Sequence, residues 1–108
     1  MTRKVVYSRR TQQQLSDLYE WIADQTGFPD RAESFVSSIL RRCAELADSP
    51  HIGTARDDIR PGLRTMGFRR RVVIAFAVTD KTIEVVGVYY GGRDYERQLH
   101  NNASPPRR

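Results

Sequence analysis

Apolar residues recur along this chain with two periods, and the change from one to the other separates a helical part from a strand-rich part. Val5-Val6-Tyr7 is a short β-branched and aromatic run that predicts a first strand. Leu15, Leu18, Tyr19 and Ile22 then fall at i, i+3, i+4 and i+7, one apolar stripe of a helix. Ser8 or Thr11 is placed to cap its start, and Thr11-Gln12-Gln13-Gln14 matches capping-box spacing. Gly27 is suited to end this helix, because a left-handed residue is commonly required there. Pro29 opens the next helix, where its missing N–H costs nothing. Ala32, Phe35, Val36, Ile39, Leu40, Cys43 and Leu46 form its stripe. Helices joined by so short a loop form an antiparallel hairpin.

Residues 48–62 make the longest irregular stretch, rich in turn formers and mixed charge. Beyond it, period-2 patterning predicts strands over 63–68, 72–78 and 82–90, with Thr79-Asp80-Lys81 as the tight turn between the last two. In the last strand, alternation assigns Ile83, Val85 and Tyr89 to one face and Val86, Val88 and Tyr90 to the other. Both faces are apolar, so this strand is expected to be central and covered on both sides. Residues 94–100 are expected to add a helical turn or two, and 101–108 a disordered basic tail. The expected fold is α+β: a two-helix antiparallel hairpin on a small, mostly antiparallel four-stranded sheet. Its order is β-α-α-β-β-β with a short C-terminal helix, in a single domain over residues 1–100 without internal repeats.

Charge adds a partner class. The chain has 108 residues, 18 Lys+Arg against 13 Asp+Glu, and a net charge of +5, which suits an acidic partner. Cys43 is the single cysteine, so no intrachain disulfide forms, and no Cys/His grouping has zinc spacing. No cofactor or metal is implied. No apolar run has membrane-spanning length, and Met1 to Tyr7 is basic without the apolar stretch of a signal peptide. A cytoplasmic location is expected.

The arginines cluster at strand boundaries. Arg64, the Arg69-Arg70-Arg71 run and Arg93 all lie at expected strand starts or ends, which points to a basic rim meeting something acidic. Alternation into the following strand sends Arg69 and Arg71 one way and Arg70 the other. Arg93 with Asp94 also reads as a local ion pair fixing the strand exit. Trp21 lies beside the first helical stripe, where it either packs on the sheet or anchors a partner.

With these pieces in order, the chain resembles the RelE/ParE superfamily of bacterial toxin–antitoxin toxins. The resemblance covers residues 4 to about 99 and rests on five segments. They are Ser8 through Leu18-Tyr19-Glu20-Trp21-Ile22; Ala32-Glu33-Ser34-Phe35-Val36; Ser49-Pro50-His51-Ile52-Gly53; Asp58-Ile59-Arg60-Pro61-Gly62-Leu63-Arg64; and Val88-Tyr89-Tyr90-Gly91-Gly92-Arg93-Asp94. The Pro-Gly-Leu-Arg turn and the Gly-Arg-Asp exit look more like the ParE branch. The resemblance implies a toxin neutralised by a cognate, ParD-like antitoxin in a hetero-oligomer. The ParE branch typically poisons DNA gyrase, whereas the RelE branch cleaves messenger RNA on the ribosome.

Residue chemistry separates these alternatives only in part. Metal-free RNA cleavage needs proton-transfer groups and cations for the phosphorane charge. His51 and His100 read as ordinary surface histidines. Many relatives resemble this chain except for a histidine where it has Tyr90 and an arginine where it has Gly92. As a ribonuclease it would rely on Arg64, Arg93, Tyr89 and Tyr90, and an unperturbed tyrosine is a poor base at neutral pH. As a binding poison it would use Arg64, Arg69, Arg70, Arg71 and Arg93 against its target. In either case Leu18, Trp21 and Ile22 are the candidate antitoxin contacts. A plain nucleic-acid-binding module has no helix-turn-helix, zinc or aromatic-platform signature in its favour.

Overall fold

The computed structural model describes residues 3–91 and 95–103. A first strand, β1 (Lys4–Tyr7), leads into helix α1 (Arg9–Thr26) and helix α2 (Pro29–Ala44). A 3₁₀ turn at Glu45–Ala47 follows, then β2 (Thr54–Ala55), β3 (Leu63–Phe68), β4 (Val72–Val78), β5 (Thr82–Tyr90) and helix α3 (Tyr95–Ala103). The helix boundaries follow from local chemistry. Ser8 is the N-cap of α1, its hydroxyl accepting from the Thr11 N–H at 3.0 Å. Gly27 closes the helix at φ +73, and Pro29 sits in the first turn of α2.

Thr11 does not cap. It is fully buried one turn inside α1, where its hydroxyl donates to the Val85 carbonyl at 2.8 Å. Gln14 completes no capping box either, because its side-chain oxygen accepts from the Val88 N–H at 2.8 Å. Both polar groups therefore tie α1 to β5. Leu40 also departs from its expected stripe, standing 37% exposed.

The sheet has five strands in the order β1-β5-β4-β3-β2, one more than the pattern predicts. The extra strand, β2, is two residues of the irregular 48–62 stretch held against Thr65 and Arg64. Too short to show a period, it is set by its pairing with β3. β1 runs parallel to β5, and every other pairing is antiparallel.

The two faces of the sheet carry separate apolar clusters. Leu15, Leu18, Ile39 and Cys43 from the helical hairpin and Leu46 from the 3₁₀ turn pack on Ile74, Phe76, Ile83, Val85 and Val88. On the other side Ile59, Leu63, Ala75, Ala77, Val86 and Tyr89 pack with Leu99 of α3. A β-bulge decides which residue faces which cluster. Phe76 pairs with Val85 and Ala75 with Gly87, leaving Val86 as the extra residue. Simple alternation thus fails beyond Val85. Val88 joins Ile83 and Val85 under the helices, and Tyr89 joins Val86 under α3. The expected partition of Val88, Tyr89 and Tyr90 is reversed, because one inserted residue flips every later side chain.

The helix α3 runs to Ala103, through the first residues expected as tail, and buries Leu99 completely. Among the described residues no helix is long and apolar enough to cross a membrane.

Candidate functional site

Arg64, the second residue of β3, turns its guanidinium back onto the preceding loop. Its Nε donates to the Ile52 carbonyl at 2.9 Å, and Nη2 donates to the His51 and Gly53 carbonyls at 2.9 and 3.3 Å. The loop comes that close because Gly53 lies at φ +77 with its Cα against the Thr65 carbonyl. Arg64 and His51 share a cleft of about 120 Å³ with Asp57, whose carboxylate accepts from the Gly62 N–H.

Arg56, which the sequence pattern does not single out, is clamped more tightly. Its guanidinium makes a bidentate pair with Asp58, both distances 3.0 Å, and a further hydrogen-bonded pair with Glu96 of α3. These bonds hold the Asp58 and Glu96 carboxyls below their ordinary pKa values and raise that of Arg56. The only sequence signal was Arg56-Asp57-Asp58; the partner forty residues away is visible only in the fold.

Arg69, Arg70 and Arg71 form the turn between β3 and β4, so the expected strand alternation does not apply to them. Arg69 and Arg70 lie at φ +52 and +65, and the Arg71 N–H donates back to the Arg69 carbonyl at 2.7 Å. Left-handed backbone costs a non-glycine residue roughly 1–2 kcal/mol. Arg69 lies over the Phe68 ring at 5.3 Å, and the Arg71 carbonyl accepts from the Gly91 N–H at the end of β5. None of the three guanidiniums has an ion-pair partner among the described residues. Arg93 and its expected Asp94 partner lie outside the described residues.

The aromatic residues gather elsewhere. Tyr90, on the helix side, meets Trp21 at 5.4 Å between ring centroids and Phe35 edge-on at 6.1 Å. Trp21 is 49% exposed, so of its two expected placements the structure has the open one. Two grooves meet at this pair. One, about 370 Å³, is lined by Trp21, Ile22, Gln25, Thr26, Arg31, Phe35 and Tyr90. The other, about 320 Å³, is lined by Gln14, Asp17, Leu18, Trp21, Val88, Tyr89, Tyr90 and Gln98. Leu18, Trp21 and Ile22 are thus brought to one surface, although Leu18 itself is buried. Phe28, 55% exposed under the Arg31 guanidinium, extends the aromatic surface at the hairpin end. Sequence reading passed over it because it belongs to no stripe; its place between Gly27 and Pro29 was the available signal.

The candidates for proton transfer do not converge. Tyr89 is buried under α3 and Tyr90 lies on the helix side, and the groove that both border is lined by neither Arg64 nor His51. Burial pushes the Cys43 thiol up to about 11, which rules out a thiolate at neutral pH. Among the described residues no group of His, Cys, Asp and Glu can hold a metal ion.

Known proteins share this fold. The chain is 28% identical over 99 residues to toxin ParE1 of Mycobacterium tuberculosis, covering 92% of this chain and all of that one. Its fold matches a chain of a chromosomal ParDE TA system from P. aeruginosa with a TM-score of 0.71 and 22% identity, over 82% of this chain and 96% of that one. It also matches a double-arginine mutant of E. coli toxin RelE in the free state with a TM-score of 0.68 and 14% identity, over 95% of each chain. The model of the ParE toxin of type II toxin–antitoxin systems matches residues 5–95, and the chain belongs to that family.

Proposed function

We propose that this toxin arrests bacterial growth by binding and poisoning DNA gyrase in the cytoplasm, without bond-making chemistry of its own. The observation that carries this reading is the dispersal of its candidate acid–base groups. Tyr89 and Tyr90 pack on opposite faces of the sheet beside a groove that Arg64 does not line, and Arg64 gives its Nε and Nη2 to three backbone carbonyls. A ribonuclease needs such groups around one phosphate; a binding poison needs only a complementary surface.

The neutralising partner is a ParD-like antitoxin, whose apolar segment occupies the grooves that meet at Trp21 and Tyr90. Exposed aromatic side chains are effective anchors for a partner helix. Truncating Trp21 to Ala should weaken antitoxin binding at least about tenfold in a titration, as loss of an aromatic anchor does; unchanged affinity would remove Trp21 from that role.

One observation favours the ribonuclease alternative: His51 and Arg64 line the same cleft. Thymidine and methionine incorporation in the first minutes after tightly controlled induction separates the two. DNA synthesis should fall first while protein synthesis continues. Immediate loss of protein synthesis with DNA synthesis spared would replace gyrase by messenger RNA on the ribosome as the target.

A further inference from the structure

Between Asp58 and Asp80 the chain carries five arginines and no acidic residue. Three of them, Arg69 to Arg71, make the tip of the β3–β4 hairpin. β2 covers β3 only at Arg64 and Thr65, and β5 runs beside β4 as far as Val72, so the tip stands at one corner of the sheet. Arg69 and Arg70 hold left-handed backbone that glycine would hold without strain. Arginine at those positions works against the turn, so the turn itself does not account for these side chains.

We propose that this tip is a phosphate-backbone contact through which the toxin touches duplex DNA held by its target. The proposal rests on the gyrase reading and names the chemistry of one contact within it. Each of the three residues is arginine, whose planar fork donates in pairs to phosphate oxygens. Stacking over Phe68 orients the Arg69 guanidinium while leaving its N–H groups available. Duplex DNA carries one charge per about 1.7 Å of its axis. Three adjacent guanidiniums therefore find phosphates at many positions along DNA. An acidic protein surface, with carboxylates at fixed and scattered places, would have to match them one by one.

The test is fluorescence anisotropy of the purified full chain with a labelled mixed-sequence duplex of about 20 bp, between about 50 and 200 mM KCl. Three phosphate contacts predict a log–log salt slope of about −2.7, which is about a 40-fold loss of affinity across that range. Combining Arg69→Gly, Arg70→Gly and Arg71→Ser should bring the slope close to zero and weaken low-salt binding at least about tenfold. Glycine suits the left-handed positions, and circular dichroism confirms that the variant is folded. The assignment is overturned if the wild type does not bind the duplex, or if the variant keeps its affinity and slope. Stronger competition by polyglutamate or single-stranded RNA than by unlabelled duplex would also overturn it. Because the measurement contains no gyrase, its failure leaves the gyrase reading standing. Failure of the toxin to inhibit purified gyrase in turn leaves the DNA result standing.

Discussion

Arg64 and the Arg69–Arg71 tip lie at opposite ends of one strand, and the same side chain works there under opposite constraints. Arg64 gives Nε and Nη2 to three backbone carbonyls and holds the 51–53 loop in place. The tip arginines have no ion-pair partner among the described residues, and two of them, Arg69 and Arg70, hold left-handed backbone. An arginine embedded in its own fold is a structural tie, whereas one placed at a cost to its fold is available to a partner. Four substitutions or conditions sharpen or break this contrast.

The largest effect is expected at Gly53. A Cβ there would stand 2.2 Å from the Thr65 carbonyl oxygen at a φ of +77. Gly53→Ala should lower stability by about 3 kcal/mol in urea denaturation, combining left-handed strain with a backbone clash. A loss below about 1 kcal/mol would mean that the loop receiving Arg64 is not the rigid platform described.

Next is Arg64 itself. Arg64→Ala leaves three carbonyls without their charged donor and should cost about 2 kcal/mol. Arg64→Lys should recover less than half, because one ammonium cannot reproduce the fork. A folded, fully stable Arg64→Ala protein would return Arg64 to the set available for target binding.

At the tip the sign reverses. Arg69→Gly with Arg70→Gly should leave stability unchanged or raise it by up to about 1 kcal/mol, since relief of strain is offset in part by glycine's unfolded-state entropy. The same variant should lose growth arrest on induction. Arrest at wild-type strength would separate the tip from the toxic surface.

The smallest effect concerns the Arg56 clamp on α3. Asp58 and Glu96 are held below their ordinary values of 3.8 and 4.5, chiefly by hydrogen bonds from Arg56. A carboxylate with a depressed folded-state pKa contributes stability that is whole above its unfolded-state pKa and is lost as pH falls through the folded value. NMR shifts of α3 should therefore be constant from neutrality to about pH 4.5 and move toward coil values below it. Glu96→Gln should shrink that change. An identical acid transition in this variant would show that the clamp does not secure the helix.

Sequence alone determined the elements whose reasons are local. The stripes from Leu15 to Ile22 and from Ala32 to Leu46 predicted the two helices, Gly27 and Pro29 their junction, and β-branched runs the strands over 63–68, 72–78 and 82–90. Helix and strand periods, caps and turns are written within a few residues of each other, so a linear reading reaches them. The same holds for the segments that mark the toxin superfamily.

Tertiary structure decided what those segments do together. The bulge at Val86 sent Tyr89 under α3 and Tyr90 toward Trp21, reversing simple alternation, because the inserted residue is defined only by pairing with β4. Thr11 and Gln14 became ties to β5, and Arg56 met Glu96, through contacts that span 40 to 74 residues of chain. The arginine run became a turn because Phe68 and Val72 pair across it. Periodicity reports which side of its own element a residue faces. Whether an arginine ends on a carbonyl, on a carboxylate or in solvent depends on which distant segment packs beside it.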